Sequence, residues 1–176
     1  MAKQETREAL VKSFFSIYKE KPVNRISIKE VTDRAGYHRS TFYEYFSDIY
    51  DLLEQEEREI FRLQSELILE PVQKGTISLD SEKTLDSLRK LFEIKGEEVM
   101  ILIGDNGDAS FRRTLQDRIR NIIMTEKLRK GDHRSEYLAE FISGGALSTY
   151  ERAYREEADV EEVMKLVYPV VSKLLK

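Results

Sequence analysis

The chain has 176 residues, 40% of them hydrophobic and 35% charged, with a formal net charge of −4 and no cysteine. The lack of cysteine excludes disulfides and thiolate metal sites, and the apolar content supports either one mid-sized core or a small domain fused to a larger one. The longest apolar run, Val99 to Ile103, is too short to span a bilayer and the first residues lack an apolar signal core, so a cytoplasmic protein with no membrane partner is expected.

Hydrophobic spacing predicts helices along the whole length. A first helix over about residues 5–20 carries the stripe Ala9, Leu10, Phe14, Ile17 and Tyr18 and stops at Lys21-Pro22. Two short helices follow, near 27–35 and 38–45. Ser27 and Glu30 have capping-box spacing at the start of the first, Ile28, Val31 and Ala35 give it a buried side, and Gly36 stands where a helix end favours positive φ. In the second, Phe42 and Phe46 fall one turn apart. Helix four is expected from its N-cap Asp48 toward Leu69, with Leu52, Leu53, Ile60, Phe61, Leu63 and Leu67 as its apolar positions. The run Glu54-Gln55-Glu56-Glu57-Arg58-Glu59 reads as its solvated face. Pro71 and Gly75 are expected to close this helix, which leaves residues 71–80 as a linker.

Beyond the linker the pattern predicts a helix near 81–95 interrupted at Gly96, then a short buried one from Val99 to Ile103. Gly104-Asp105-Asn106-Gly107-Asp108 reads as a turn, with Asp108 capping a helix over about 109–129. Lys130-Gly131-Asp132 breaks the chain again, and helices near 134–156 and 160–175 complete it, the last one kinked at Pro169. The fold class is therefore all-α: residues 1–47 form a three-helix head, and residues 48–176 form a helical body that helix 48–69 joins to the head.

Helix, tight turn, helix over about twenty residues is a geometry that lays the second helix in a DNA major groove. Buried residues set its crossing angle, here Phe42 and Phe46 with Val31 and Ile28. Arg39, Ser40, Thr41, Tyr43 and Tyr45 then face outward. Arg39 can pair with a guanine edge or grip a phosphate, and the Ser40 and Thr41 hydroxyls suit either. Charge is distributed accordingly: residues 1–47 carry nine Lys/Arg against six Asp/Glu, and residues 48–176 carry twenty against twenty-seven. A modestly basic head on an acidic body orients the head toward phosphate.

The run Ala35-Gly36-Tyr37-His38-Arg39-Ser40-Thr41-Phe42-Tyr43-Glu44-Tyr45-Phe46 resembles the DNA-reading segment of the TetR family of bacterial transcription regulators, a likeness that covers about residues 5–53. The resemblance implies a phosphate contact for Tyr43, a second for Lys29, and an N-cap place for His38, where it can cap, touch DNA, or both. Tyr37 is expected to pack in the turn. One departure stands out: the family commonly has a lysine at the start of helix four, and this chain has Ile49, with Tyr45, Tyr50 and the helix N-terminus as the available substitutes.

The resemblance also implies a body that binds an effector between its helices and pairs through its last two. A cavity for a small hydrophobic or amphipathic effector is expected from Phe92, Met100, Phe111, Met124, Tyr137, Phe141 and Tyr150. A homodimer interface is expected from Gly144, Gly145 and Leu147, where mid-helix glycines cost about 1 kcal/mol each and so suggest close helix approach, and from Val163, Val167, Val170 and Val171. The partners are thus a double-stranded DNA operator, a second copy and an effector. A DNA-bound scaffold or activator answering to a protein partner shares the same head. A small helical enzyme is the competing class, but His38 and His133 are the sole histidines and no phosphate loop or nucleophile motif occurs, so no catalytic residue, metal or cofactor is expected.

Overall fold

The computed structural model describes residues 2–129 and 136–175, and every regular element among them is helical. The head consists of α1 (Ala2–Tyr18), α2 (Ile28–Ala35) and α3 (Arg39–Tyr43), with a short 3₁₀ turn at Val23–Arg25 between the first two. The connecting helix α4 (Ile49–Gln64) continues through a π-helical turn, Ser65–Leu69, into a last α turn at Glu70–Gln73. The body adds α5 (Glu82–Ile103), α6 (Ala109–Arg129), α7 (Glu136–Arg155) and α8 (Val160–Leu175). The expected break at Lys130-Gly131-Asp132, with His133, lies outside the described residues.

Two expectations about helix boundaries are corrected. Pro71 does not close α4. The π turn ends two residues before it and includes Leu67, whose carbonyl the proline ring would otherwise strike, so the widened turn lets the helix pass. The chain leaves the helix at Gly75 instead, with φ at 68°. Gly96 does not interrupt α5, because the Phe92 ring covers it so closely that an added Cβ would stand 3.1 Å from Phe92 Cδ1. Pro169 sits inside α8, which continues to Leu175.

The core is continuous from head to body. Leu10, Phe14, Ile17, Tyr18, Val31, Phe42, Phe46 and Leu52 form one buried cluster with Met100, Leu102, Phe111 and Leu147. A second cluster joins Ile68, Val72, Leu79, Leu91, Ile122, Ile123, Ile142 and Leu175 at the far end of the body. Body and head also meet through polar contacts at the end of α1: Asn106 Nδ2 donates to the Lys19 carbonyl at 3.2 Å, and Lys19 Nζ lies 5.2 Å from the Tyr154 ring centroid.

The acidic run on α4 is not wholly solvated. Glu56 is 0% exposed. Its Oε2 accepts from Lys95 Nζ on α5 at 2.7 Å, and its Oε1 lies 2.7 Å from an Arg7 guanidinium nitrogen on α1, an ion-pair contact without hydrogen-bond alignment. Burial is the largest single influence and works against the Lys95 charge, but its hydrogen bond to Glu56 and the Glu56 and Glu98 charges together outweigh it and hold that pKa above its ordinary value. Removing Glu56 would leave two cations facing each other across the joint. Glu56→Ala is expected to lower stability by about 2–3 kcal/mol, measured by urea unfolding; a change under about 0.5 kcal/mol would show the pair to be dispensable.

Glu57, the next residue, is half-buried and its Oε1 has no hydrogen-bond partner. Burial, then the nearby Asp108 and Glu54 charges, push its carboxyl from 4.5 up to about 7. The native state therefore holds a proton that the unfolded chain has released, so this residue makes stability fall as pH rises from about 4.5 to 7. Urea midpoints measured between pH 5 and 8 should decline in the wild type and stay nearly flat in Glu57→Gln. Parallel profiles for the two proteins would contradict this assignment.

Candidate nucleic-acid interface and body cavity

The helix-turn-helix is fixed by local chemistry. Ser27 Oγ accepts from the Glu30 amide at 3.3 Å, and Glu30 Oε2 accepts from the Ser27 amide at 2.9 Å, so the capping box is complete. Lys21 bonds the same carboxylate, and its hydrogen bond, followed by those of Ser27, holds Glu30 down at about 2. At the other end of α2, Gly36 takes φ 76° and the Tyr37 amide donates back to the Thr32 carbonyl at 2.9 Å, which reverses the chain within two residues. Helix α3 starts at once, with His38 at its N-cap; the histidine side chain makes no capping hydrogen bond.

Phe42 is fully buried and Phe46 nearly so, their ring centroids 5.4 Å apart. With Val31 at their back they set the roll of α3 and decide which side chains point outward. Lys29, His38, Arg39, Ser40 and Tyr43 are exposed, Tyr43 at 59%. None of these five side chains has a hydrogen bond or ion pair with another described residue. Neighbouring cations differ: Lys21 is paired with Glu30, Arg34 with Glu20 and Arg7 with Glu56. Thr41 and Tyr45 are half-buried, and Tyr45 packs against the head core. Tyr37 also packs there, its hydroxyl accepting from Thr6 Oγ1 at 3.4 Å.

At the start of α4 the Asp48 carboxylate accepts from the Asp51 amide at 2.8 Å, and Asp51 accepts from the Ser47 amide at 2.8 Å. Ile49 is buried in the head core, so the position where the family commonly has lysine serves packing here. Tyr50, next to it, is 57% exposed and takes the outward place.

In the body, α4 to α8 enclose a cavity of about 170 Å³. Phe92, Met100 and Tyr150 line it as expected, together with Ile60, Gln64, Leu115, Ile119 and Val167. The other four expected residues do not. Phe111 stacks on Phe61 at 5.0 Å inside the core, Met124 packs against the far cluster, and Tyr137 and Phe141 point outward at 88% and 70% exposure. The cause on α7 is helical phase: Ala139, Ile142 and Leu147 face inward, which turns Tyr137 and Phe141 away. Leu147, Val167 and Val171 likewise turn into the protomer's own body and Val163 is half-buried. Gly144 lies beside Gln116, whereas Gly145 and Val170 are exposed.

Two features had no place in the expected site. Gln64, at 3% exposure, replaces an apolar residue on the inward stripe of α4; its spacing of four from Ile60 is the signal that could have found it. Arg118 on α6 reaches it. Its Nε donates to Gln64 Oε1 at 2.6 Å, its Nη2 donates to the Phe61 carbonyl at 3.0 Å and to Ser65 Oγ at 2.6 Å, and its guanidinium stacks 4.9 Å from the Phe61 ring centroid. No carboxylate pairs with it among the described residues, and burial lowers its pKa.

A basic-faced helix-turn-helix held by a long helix to an all-helical body defines a DNA-binding transcription regulator. Residues 16–55 match the family model of bacterial regulatory proteins of the tetR family. The matched segment spans the helix-turn-helix, and over its whole length the chain shares its fold with solved structures. Among solved structures it is similar to the Dihydroxyacetone kinase operon activator DhaS, with a TM-score of 0.63 at 13% identity over 97% of this chain and 93% of that one. It is also similar to a TetR transcriptional regulator from Streptococcus agalactiae 2603V, with a TM-score of 0.59 at 21% identity over 97% and 95% of the two chains. No curated protein matches the chain. Among the described residues no helix is long and apolar enough to cross a membrane.

Proposed function

We propose that the chain is a ligand-responsive repressor that binds a palindromic operator as a homodimer and occludes a promoter. The observation that carries this reading is the exposed, uncommitted set Lys29, Arg39, Ser40 and Tyr43 on a face whose roll is fixed by buried Phe42. Tyr43 and Lys29 serve phosphates and Arg39 a base edge or phosphate, with His38, Thr41 and Tyr45 at the margins. Residues 1–47 act as the reading head and 48–176 as the sensing and pairing body.

Pairing is supported by two neighbouring exposed stripes. On α7, Tyr137, Phe141, Gly145 and Ser148 recur on one face, and an added Cβ at Gly145 would meet no atom within 4 Å. On α8, Leu166, Val170 and Leu174 are exposed at 73%, 58% and 38%. A four-helix contact between two copies would cover both stripes and set two recognition helices about 34 Å apart, one turn of DNA. A ligand in the cavity then acts by population shift, favouring one separation of the heads over another.

The test of the head is selection of genomic fragments by the wild type beside Arg39→Ala/Tyr43→Ala. The wild type should enrich a palindrome that the double variant does not, with thermal stability unchanged because both positions are exposed. Lys29→Ala should weaken binding across sequences and reduce the salt slope by about 1. Equal enrichment by wild type and double variant would refute the reading. For pairing, Phe141→Glu/Val170→Glu should sediment as a 20.7 kDa monomer where the wild type sediments as a dimer; a monomeric wild type at micromolar concentration would refute the dimer.

A second reading, activation, is favoured by the name of one fold neighbour, an operon activator. A reporter placed behind the enriched site separates the two by the sign of its response.

A further inference from the structure

Among the described residues the cavity has no Asp, Glu, Lys or Arg in its walls. A bound ion would therefore lose its hydration without gaining a counter-charge, which selects for neutral molecules. Its volume of about 170 Å³ resembles the roughly 150 Å³ apolar cavity that accepts benzene, so the occupant has the size of one ring or a short aliphatic chain.

The polar groups on the walls narrow the choice further. Thr84 Oγ1 is committed to the Ser78 carbonyl at 2.7 Å, and the Tyr168 hydroxyl to the carbonyls of Leu79 and Ser81. Gln64 is committed at one end only. A guanidinium carries donors and no acceptor, so the 2.6 Å contact from Arg118 Nε requires the Gln64 oxygen at that end and settles the orientation of the amide. The other end, Nε2 with its two N–H donors, has no partner among the described residues. The hydroxyl of Tyr150, which also lines the cavity, has none among the described residues either. Both free groups can donate, and an apolar occupant would leave them unsatisfied at a real cost.

We infer that the cavity takes a small neutral molecule with an apolar body and one oxygen acceptor, a carbonyl in the simplest case, bound to the Gln64 amide. Arg118 holds that amide in place, and Tyr150 donates to a second lone pair or a second oxygen. The inference rests on the cavity being the effector site proposed above, and it adds the chemical class of the effector.

Two probes of nearly equal shape test it on the full chain: acetophenone, which has the carbonyl, and ethylbenzene, which lacks it. Their dissociation constants are measured by calorimetry for the wild type and for Gln64→Met. The ratio favouring acetophenone should fall about tenfold in the variant while ethylbenzene binding persists. A ratio unchanged within twofold overturns the inference and leaves the cavity as a site for apolar ligands. No binding of either probe to the wild type overturns both the inference and the effector reading. Should Gln64→Met fail to fold, the Gln64 side-chain amide resonances of the wild type decide: they should move with acetophenone and stay with ethylbenzene, and equal responses to the two overturn the inference.

Discussion

The buried carboxylate of Glu56 is the constraint on which the architecture turns. It sits on α4, receives one cation from α1 and one from α5, and is wholly removed from water. A carboxylate in that place is tolerable only with both partners close, because desolvation costs several kcal/mol per ion. The apolar core on either side would accept small rotations of α4 at little cost. An ion pair to each neighbour does not, since a small roll of the helix lengthens one contact or the other. Specific rotation of α4 is therefore set by charge, and cohesion by the apolar clusters around it.

Two turns farther along, the same helix is held by a cation instead. At the entry to the π turn Ser65–Leu69 the Phe61 carbonyl already accepts from the Ser65 amide, and Arg118 adds a second hydrogen bond to that carbonyl and one to the Ser65 hydroxyl. Its lack of a carboxylate partner among the described residues is consistent with this role: its three hydrogen bonds go to neutral acceptors and its plane lies on an aromatic face. The irregular turn and Arg118 hold Gln64 from behind, and of the two side chains Gln64 alone lines the cavity.

What the sequence made legible follows from the range of the forces involved. The capping box, the glycine turn and the Phe42/Phe46 pair act within a few residues, and the helix-turn-helix could be read from them. Gly96 was misjudged because its propensity is local while the Phe92 ring that covers it belongs to tertiary packing. Glu56 was misjudged because Glu54 to Glu59 looks uniformly solvated, and its two cations lie 49 residues before and 39 residues after it in the chain. The cavity lining was half right for a related reason. Phe92, Met100 and Tyr150 lie on inward phases, but Tyr137 and Phe141 are about half a turn out, and aromatic character alone does not fix phase.

The placement of these two holds along α4 bears on how a cavity could speak to DNA. Gln64 lies eight residues beyond Glu56, and Asp48 eight residues before it, so each end is about 12 Å from the buried carboxylate at about 1.5 Å per residue. With Glu56 as the fixed point, a tilt of roughly 5° moves either end by on the order of 1 Å in opposite directions. That displacement at Asp48 is passed to α3 through Ile49 and Phe46, which are buried in the same head core and cannot slide independently. Any ligand contact that prefers one position of Gln64 then prefers one position of the recognition helix, and a ligand indifferent to Gln64 changes nothing however tightly it binds. The burial of Ile49 sharpens this dependence. A lysine there could flex its own chain, whereas a packed isoleucine ties the α4 N-terminus to the head core, so the helix carrying Arg39 and Tyr43 follows the tilt of α4.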